Sequence, residues 1–267
     1  MTIIPSVSPP LPTANKWARS LTSADPFIWL AQGWRDVLTM PAMSIAYGLV
    51  ILLISVGLVG GLIALGRDYI LFPAFAGFLV VGPILAVGLY EKSRRIEEGL
   101  PLSWSNLFFV KPRSGGQILF TGVLLCLLMM VWMRAAVIIY ALFFGLVPFP
   151  GLNHIVPMLF STQIGWAMLA VGTAVGGLFA AFSFAISAFS IPMLLDQSID
   201  AFTAMGSSMA LVWTNLRVLL IWAAIVLALF LVSLATGMLG LVVIYPLLGH
   251  ATWHAYRAVQ PDVSRPR

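Results

Sequence analysis

Charged residues are scarce in this sequence, and their scarcity decides the class of protein. Asp, Glu, Lys and Arg make up 9% of the 267 residues, whereas a typical soluble domain carries roughly a quarter. So few ionisable side chains cannot keep a folded chain of this size in water. The composition therefore excludes a soluble enzyme, and it excludes a nucleic-acid-binding protein in spite of the net charge of +5.

Cysteine is almost absent as well. Cys126 is the single cysteine, so the chain has no disulfide framework and no Cys-x-x-Cys motif. The sequence also lacks a Gly-x-Ser-x-Gly nucleophile elbow and a Walker-type phosphate-binding loop. We therefore expect no catalytic residue in this chain.

Hydrophobic residues are what the chain has in excess, at 61% of the sequence with a mean hydropathy of +1.02. A helix crosses a hydrocarbon core of about 30 Å with about 20 mainly apolar residues. Runs of this length predict an all-α fold, a polytopic membrane helical bundle embedded in the lipid bilayer. Its six transmembrane helices are expected at about residues 42–65, 69–90, 117–140, 164–190, 216–234 and 235–255.

The basic residues predict the orientation of the bundle, because short loops rich in Lys and Arg stay in the cytoplasm. They concentrate in the N-terminal arm, the second loop and the tail, at Lys16, Arg19, Arg35, Lys92, Arg94, Arg95, Lys111, Arg113, Arg257, Arg265 and Arg267. On the opposite side only Arg67 is expected. Both termini are therefore predicted to be cytoplasmic, in a multi-pass protein of the bacterial cytoplasmic (inner) membrane.

The N-terminal arm is predicted to have two parts. The proline-rich start favours disorder, which we assign to residues 1–24. Residues 25–40 begin with Asp-Pro and predict an amphipathic helix in the headgroup plane, with an apolar face of Phe27, Leu30, Trp34, Val37 and Leu38. Its polar face is expected to hold Gln32, Arg35, Asp36 and Thr39. Residues 25–257 then form one membrane domain, and residues 258–267 form a cytoplasmic tail.

An internal repeat divides the membrane domain. A Trp-x-Asp/Asn triplet begins at Trp34, Trp104 and Trp213, each time ahead of a predicted helical hairpin. The second helix of each hairpin contains a proline that is followed eight residues later by an ionisable residue, namely Glu91, Asp200 and His254. This spacing predicts three modules, each an interfacial helix followed by a hairpin.

Four segments resemble a known family. They are Gly33-Trp34-Arg35-Asp36, the run from Gly82 to Glu91, the run from Ile191 to Asp196, and the ending from Gly249 to Arg257. These segments are similar to the bacterial integral-membrane family catalogued as domain of unknown function 2189, over about Asp25 to Arg257. The resemblance implies a membrane topology and no established activity. Some members are labelled as cytochrome c oxidase subunits, but the three histidines here are too few for a haem-copper core.

The residues themselves suggest one metal hypothesis. His250 and His254 are four residues apart, the helical spacing that places two imidazoles on one metal ion. Asp196 and Asp200 share this spacing and the same positions relative to their proline, so the four side chains are predicted to converge. The alternative is that they cap helix ends, with Arg217, Arg94 and Arg95 as counter-charges. No other cofactor is predicted, and haem enters only through the family label.

Two other sets of polar residues are candidates for function. Arg134 is the only Lys or Arg inside a predicted span, and it is expected to snorkel to the headgroups or to pair with Asp68. Ser183, Ser187 and Ser190 extend a stripe of small residues on the fourth helix. The stripe predicts either tight helix packing or a polar path for a solute.

These patterns favour a non-catalytic structural, accessory or assembly component of a membrane complex, with other membrane-protein subunits as partners. Two alternatives remain open at this point. One is a small-solute or ion permease that uses the serine stripe. The other is a metal- or haem-associated accessory protein of a respiratory oxidase that uses His250 and His254.

Overall fold

Helices and short turns make up the whole described chain. The computed structural model describes residues 17–145 and 149–260, and these two stretches contain no β-strand. The elements are α1 (Asp25–Leu38), α2 (Pro41–Ala64), a 3-10 turn (Asp68–Ile70), α3 (Leu71–Leu85), α4 (Val87–Glu97), α5 (Trp104–Phe108), α6 (Gly115–Phe144), α7 (Leu152–Ser161), α8 (Gln163–Ser187), α9 (Ser190–Asp196), α10 (Ala201–Thr214), α11 (Leu216–Ala235) and α12 (Leu241–Val259). The all-α prediction is confirmed.

Five stretches of the described chain are helical, long and apolar enough to cross a bilayer: Pro41–Ala64, Asp68–Glu97, Gly115–Phe144, Gln163–Asp196 and Leu216–Ala235. They correspond to the first five predicted spans. The sixth predicted span forms α12, a helix of 19 residues that contains both His250 and His254. It does not reach the hydropathy of the other five, so its passage through the bilayer stays a prediction, as does the orientation of the termini.

A proline bends the second span. Pro83 has no N–H to donate and its ring obstructs the preceding turn, so the helix cannot continue undisturbed. Around the bend the backbone bonds tighten, with Ala86 N–H donating to the Pro83 carbonyl and Leu89 N–H donating to the Ala86 carbonyl. The span therefore consists of two helices, α3 and α4, that meet at Ala86.

The bend leaves two carbonyl oxygens without their helical donors, and two tyrosines from other helices supply the hydrogen bonds. The Tyr245 hydroxyl donates to the Gly82 carbonyl at 2.9 Å, and the Tyr47 hydroxyl donates to the Leu85 carbonyl at 2.7 Å. Because an unpaired carbonyl in an apolar interior costs stability, α2 and α12 hold the bend in place.

Helix α12 lies at the centre of one packing group, where it contacts α1, α2 and α4. Small residues permit the close approach. A Cβ on Gly33 would lie 2.7 Å from the Ala251 backbone nitrogen, and a Cβ on Gly48 would collide with the Val242 carbonyl oxygen. A second packing group consists of α3, α6 and α8, in which Trp132 packs on Gly176 and donates to the Pro73 carbonyl at 3.1 Å.

Helix α1 is present as predicted, but the predicted assignment of its faces is partly wrong. Its buried residues include Trp29, Gly33, Asp36 and Val37, and Trp29 meets the edge of the Trp222 ring. Of the predicted apolar face, Val37 is buried, whereas Phe27, Trp34 and Leu38 are exposed. Asp36 was assigned to the polar outer face, yet it is buried, because α12 packs on that side and supplies hydrogen-bond partners.

The chain is ordered before Asp25. The Arg19 backbone N–H donates to Asn215 Oδ1 at 3.0 Å, its Nε donates to the Val259 carbonyl at 2.7 Å, and Asn215 Nδ2 donates to the Trp17 carbonyl at 3.0 Å. The predicted end of the disordered arm at residue 24 is therefore too late in the chain. The rest of that prediction concerns residues 1–16, which lie outside the described residues, as do residues 261–267 of the predicted tail.

The close contact of α2 with α12 gives a first testable prediction. Gly48→Ala places a methyl group against the Val242 carbonyl, and overpacking of this kind costs about 1–3 kcal/mol. We expect a lower midpoint of thermal unfolding for the purified protein in detergent, measured by circular dichroism. Gly60→Ala is the control, because a Cβ on Gly60 meets nothing within 4 Å. Equal midpoints for the two variants would contradict the packing described here.

Candidate functional site

Six polar side chains from four helices meet beside the cytoplasmic half of α12, as the predicted orientation places it. We name this set the buried polar cluster, and it consists of Asp36 from α1, Ser44 from α2, Lys92 and Ser93 from α4, and His250 and His254 from α12. Five of the six are buried, and His254 is partly buried. Its hydrogen bonds join residues up to 218 positions apart in sequence.

Lys92 is the positive charge of the cluster, and it is only 2% exposed. Its ammonium donates to the Ser44 hydroxyl at 2.7 Å, to the Asp36 carbonyl at 2.9 Å and, more weakly, to the Met40 carbonyl at 3.4 Å. An ammonium has three protons to donate. Each of them therefore has an acceptor, which is the condition for burying this charge.

The two serines fix the protonation of His250. Ser44 accepts from Lys92, so its own proton points to His250 Nε2 at 2.9 Å. Ser93 donates to Asp36 Oδ2 at 2.6 Å, so its oxygen accepts from His250 Nδ1 at 2.8 Å. This pattern assigns a neutral imidazole with its proton on Nδ1. Both ring nitrogens are occupied.

Asp36 is the negative charge of the cluster. Its Oδ2 accepts from Ser93 and also from His254 Nε2 at 2.9 Å. The same residue supplies its backbone carbonyl to Lys92. One carboxylate and one ammonium are thus buried together, and the intervening hydroxyls link them through hydrogen bonds. The arrangement holds α1, α2, α4 and α12 in one register.

The predicted metal ligands are not brought together. Asp196 accepts from the Tyr256 hydroxyl at 3.0 Å and from Gln260 Nε2 at 3.1 Å. Asp200 caps α10, where Thr203 donates from its backbone N–H at 2.9 Å and from its hydroxyl at 2.6 Å. Within residues 17–145 and 149–260, no group of three or more His, Cys, Asp and Glu side chains is placed to hold a metal ion.

The surroundings of Asp200 and Asp196 shift the pKa of Asp200 and that of Tyr256, the neighbour of Asp196. The two bonds from Thr203 lower the pKa of Asp200, since they stabilise the charged carboxylate. Burial, and then the charge of Asp196, raise the pKa of Tyr256, so this tyrosine stays protonated and donates to Asp196. Asp200 therefore caps α10, whereas Asp196 links α9 to the end of α12.

Glu91 and its basic neighbours form a separate ion-pair group on α4. Arg94 forms two bonds of 2.9 Å with the buried Glu91 carboxylate, and Arg95 Nε adds a third at 2.7 Å. The predicted role of Arg94 and Arg95 as counter-charges of Asp196 or Asp200 is not found, because both pair within their own helix. Glu91 is a structural residue here.

Arg134 is exposed on α6. Among the ion pairs of the described chain there is none between Arg134 and Asp68. An exposed position on a membrane helix fits an arginine that extends toward the headgroups. Of the two predicted interpretations, pairing with Asp68 is therefore wrong for this structure.

The three Trp-x-Asp/Asn triplets share an exposed tryptophan, at Trp34, Trp104 and Trp213. At the third position Asp36 and Asn215 are buried, whereas Asn106 is only partly buried. Asn215 donates to the Leu211 carbonyl at 2.8 Å, in addition to its bonds with the N-terminal arm. In two of the three triplets the third residue therefore makes interior contacts.

The serines of α8 and α9 lie inside the protein. Ser183, Ser187 and Ser190 are buried, and the hydroxyls of Ser183 and Ser190 have no hydrogen-bond partner within the described chain. Ser187 also lines a groove of about 460 Å³ between α8 and α11. The stripe is therefore an interior feature, as both of its predicted interpretations require.

Four members of the buried polar cluster were missed by the sequence reasoning as site residues: Asp36, Ser44, Lys92 and Ser93. Lys92 counted only as a loop cation for the orientation rule. The sequence does show that Ser44 is a polar residue near the start of a run without charges, which marks it as a candidate for an interior hydrogen bond. No pattern in a single sequence gives the pairing of α1, α2 and α4 with α12.

The charges of the buried polar cluster give a second prediction. Asp36→Ala removes the acceptor of Ser93 and His254 and leaves the Lys92 charge without its counter-charge, a loss of about 3–5 kcal/mol. We expect a large drop in unfolding midpoint, measured by circular dichroism in detergent. Asp200→Ala is the matched control, since it removes an exposed helix cap, and its effect should be clearly smaller. A drop no larger than that of the control would refute the role of Asp36.

Comparison with known proteins is consistent with this membrane architecture. Neither the curated proteins nor the solved structures contained a match to the chain. A family model described as Predicted integral membrane protein (DUF2189) matches residues 71–196. The matched stretch runs from the first residue of α3 to the last residue of α9, just under half of the chain. Over these helices the resemblance to the domain-of-unknown-function family 2189 is confirmed.

Proposed function

We propose that this integral membrane protein is a non-catalytic structural, accessory or assembly component of a larger complex in the bacterial inner membrane. Its termini lie on the cytoplasmic side, in agreement with the distribution of Lys and Arg. The proposal is supported by a small-residue surface on α2 that contacts no other helix of the described chain. It is also supported by the hydrogen bonds that the buried polar side chains make with one another.

The surface on α2 is the observation on which the proposal depends. Gly57 and Gly61 are four residues apart and exposed, and a Cβ on either would meet nothing within 4 Å. Pairs of small residues at this spacing allow the backbones of two membrane helices to approach closely. Gly48 performs that task inside the chain, where it lies against the Val242 backbone. Gly57 and Gly61 have no such neighbour in the described chain, so they are available to a helix of another subunit.

The buried polar cluster supports the non-catalytic part of the proposal. Both nitrogens of His250 and all three protons of Lys92 are engaged with other side chains or carbonyls. Groups in such a closed network stabilise helix packing, and they have no lone pair or proton directed at a ligand. For the same reason we place no metal or haem on His250, and Nε2 of His254 is engaged with Asp36.

The surface on α2 gives a third prediction. The double change Gly57→Leu and Gly61→Leu closes the small-residue surface without a clash inside the chain. We expect the protein purified in mild detergent to carry a stoichiometric partner subunit or a second copy, measured by light scattering coupled to size exclusion. The double variant should reduce that association about tenfold, a factor equivalent to about 1.4 kcal/mol.

The control for this experiment is Gly172→Leu, an equally open glycine on α8. Its association should match that of the unchanged protein. A chain that is monomeric under all mild detergent conditions, or one whose association is identical in the double variant, would disprove the proposed role of α2.

A small-solute or ion permease is the second candidate function. It is favoured by the hydroxyls of Ser183 and Ser190, which are buried without a partner in the described chain next to a groove that Ser187 lines. A permease of this kind would give measurable flux in proteoliposomes, and Ser187→Leu would reduce that flux at least about tenfold. Ser55→Leu on α2 is the control. Absence of flux for a panel of ions and small solutes would eliminate this candidate.

A further inference from the structure

A groove of about 460 Å³ between α8 and α11 has no role in the proposed function. We name it the α8–α11 groove. Its walls come from α8 and α11 and its floor from α3, α4 and α12, with Phe78, Gly177, Phe184, Leu219, Trp222 and Tyr245 among the lining residues. Four of the contributing helices, α3, α4, α8 and α11, belong to candidate membrane spans. The groove therefore lies at the depth of the hydrocarbon core.

The lining of the groove is apolar almost throughout, with five hydroxyls. Three of these donate to carbonyls: Tyr245 to Gly82, Thr252 to Leu248 at 2.7 Å and Ser233 to Leu229 at 3.1 Å. An open, mainly apolar space inside a bilayer is filled by hydrocarbon or by another membrane helix.

The volume of the groove distinguishes these two occupants. It holds about 460 Å³, whereas only two turns of a helix about 10 Å across fill roughly 850 Å³. A helix of another subunit would therefore enter this open groove with only part of its thickness. The same volume lies within the roughly 300–1,000 Å³ of ordinary small-ligand pockets, which suits a flexible chain of methylene groups.

The length of the groove differs between its two sides. Along α8 the lining residues extend from Gly177 to Ser187, about 15 Å at a helical rise of 1.5 Å per residue. Along α11 they extend from Leu216 to Ser233, about 26 Å by the same rise. One leaflet contributes about 15 Å, half of a hydrocarbon core of about 30 Å, so the groove extends beyond one leaflet along α11.

A cation stands at the end of the groove that is predicted to be cytoplasmic. Arg217 is exposed in the first turn of α11, and no ion pair within the described chain includes it. It precedes Leu220 and Ala224 of the lining by three and seven residues, so it lies on the same edge of the helix. Trp213, 77% exposed, is close by in sequence at the level where tryptophan prefers the headgroup region.

We propose that the α8–α11 groove binds one acyl chain of a bilayer phospholipid, whose phosphate pairs with the Arg217 guanidinium. The apolar floor and walls receive the chain, and the arginine selects a lipid with an anionic group at the level of the leaflet surface. The bound lipid replaces protein contacts between α8 and α11 and so contributes to the stability of the bundle. This binding site is independent of the α2 surface and of any partner.

The test measures the phospholipid that stays with the full chain after purification in mild detergent, by native mass spectrometry. We expect one phospholipid per protein. Gly177→Phe fills the groove, and a Cβ on Gly177 meets nothing within 4 Å, so the change is tolerated by the fold. Retention should fall at least about tenfold, a factor equivalent to about 1.4 kcal/mol. Gly172→Phe, in the same helix but outside the lining, is the control and should retain lipid normally.

A second pair of variants tests the headgroup contact. Arg217→Gln should lower the retention of phospholipids several-fold, whereas Arg113→Gln, which removes another exposed cation of the predicted cytoplasmic side, should leave it unchanged. Circular dichroism establishes that each variant is folded. In addition, phospholipid with brominated acyl chains should quench Trp222 fluorescence in the unchanged protein, and the quenched component should vanish in Trp222→Phe.

Three results would overturn the inference. The first is a folded, unchanged protein that carries no phospholipid and shows no quenching from brominated chains. The second is equal lipid retention in Gly177→Phe and Gly172→Phe. The third is a polypeptide crosslinked to a groove residue such as Leu220, which would make a partner helix the occupant. None of these results depends on the association measured with the α2 variants.

Discussion

The burial of Lys92 is the constraint on which the packing around α12 depends. An ammonium in an apolar interior is tolerated only when all its protons are accepted and a counter-charge is near. Those acceptors come from α1 and α2, and the counter-charge comes from Asp36. The Lys92 charge is stabilised only when α1, α2, α4 and α12 are packed in this register. An arrangement in which one helix is shifted along its axis would leave the charge without its acceptors and would be less stable.

Glycine makes the same arrangement sterically possible. Gly33 and Gly48 bring α1 and α2 against the backbone of α12, at a distance that lets short serine hydroxyls complete the hydrogen bonds. Close packing and polar bonding thus depend on each other, since a longer separation of α2 from α12 would leave Ser44 out of reach of His250. The apolar exterior of the spans, in contrast, makes no comparable demand on residue identity.

The sequence alone predicted the helical class and the position of α1, and five of its six predicted spans correspond to long apolar helices, because each follows from the length and composition of a continuous segment. The faces of α1 were harder to assign. An amphipathic pattern assumes one apolar and one aqueous surrounding, and Asp36 lies instead in a polar site inside the protein. Its partner His254 is 218 residues away, and no local pattern contains that information. The four-residue spacing of His250 and His254 is visible in the sequence, but the hydrogen-bond partners of His250, and that of Nε2 of His254, come from other helices.

The bend at Pro83 has a further consequence for motion. A proline in a membrane helix often acts as a swivel, since the missing hydrogen bond leaves the two halves free to change their angle. Here Tyr47 of α2 donates to the Leu85 carbonyl and Tyr245 of α12 donates to the Gly82 carbonyl. A change of angle would therefore break hydrogen bonds to two other helices at once. The joint between α3 and α4 is a rigid elbow. Residues of this joint line the α8–α11 groove. A change in the width of the groove therefore requires movement of α8 or α11 and not of the joint.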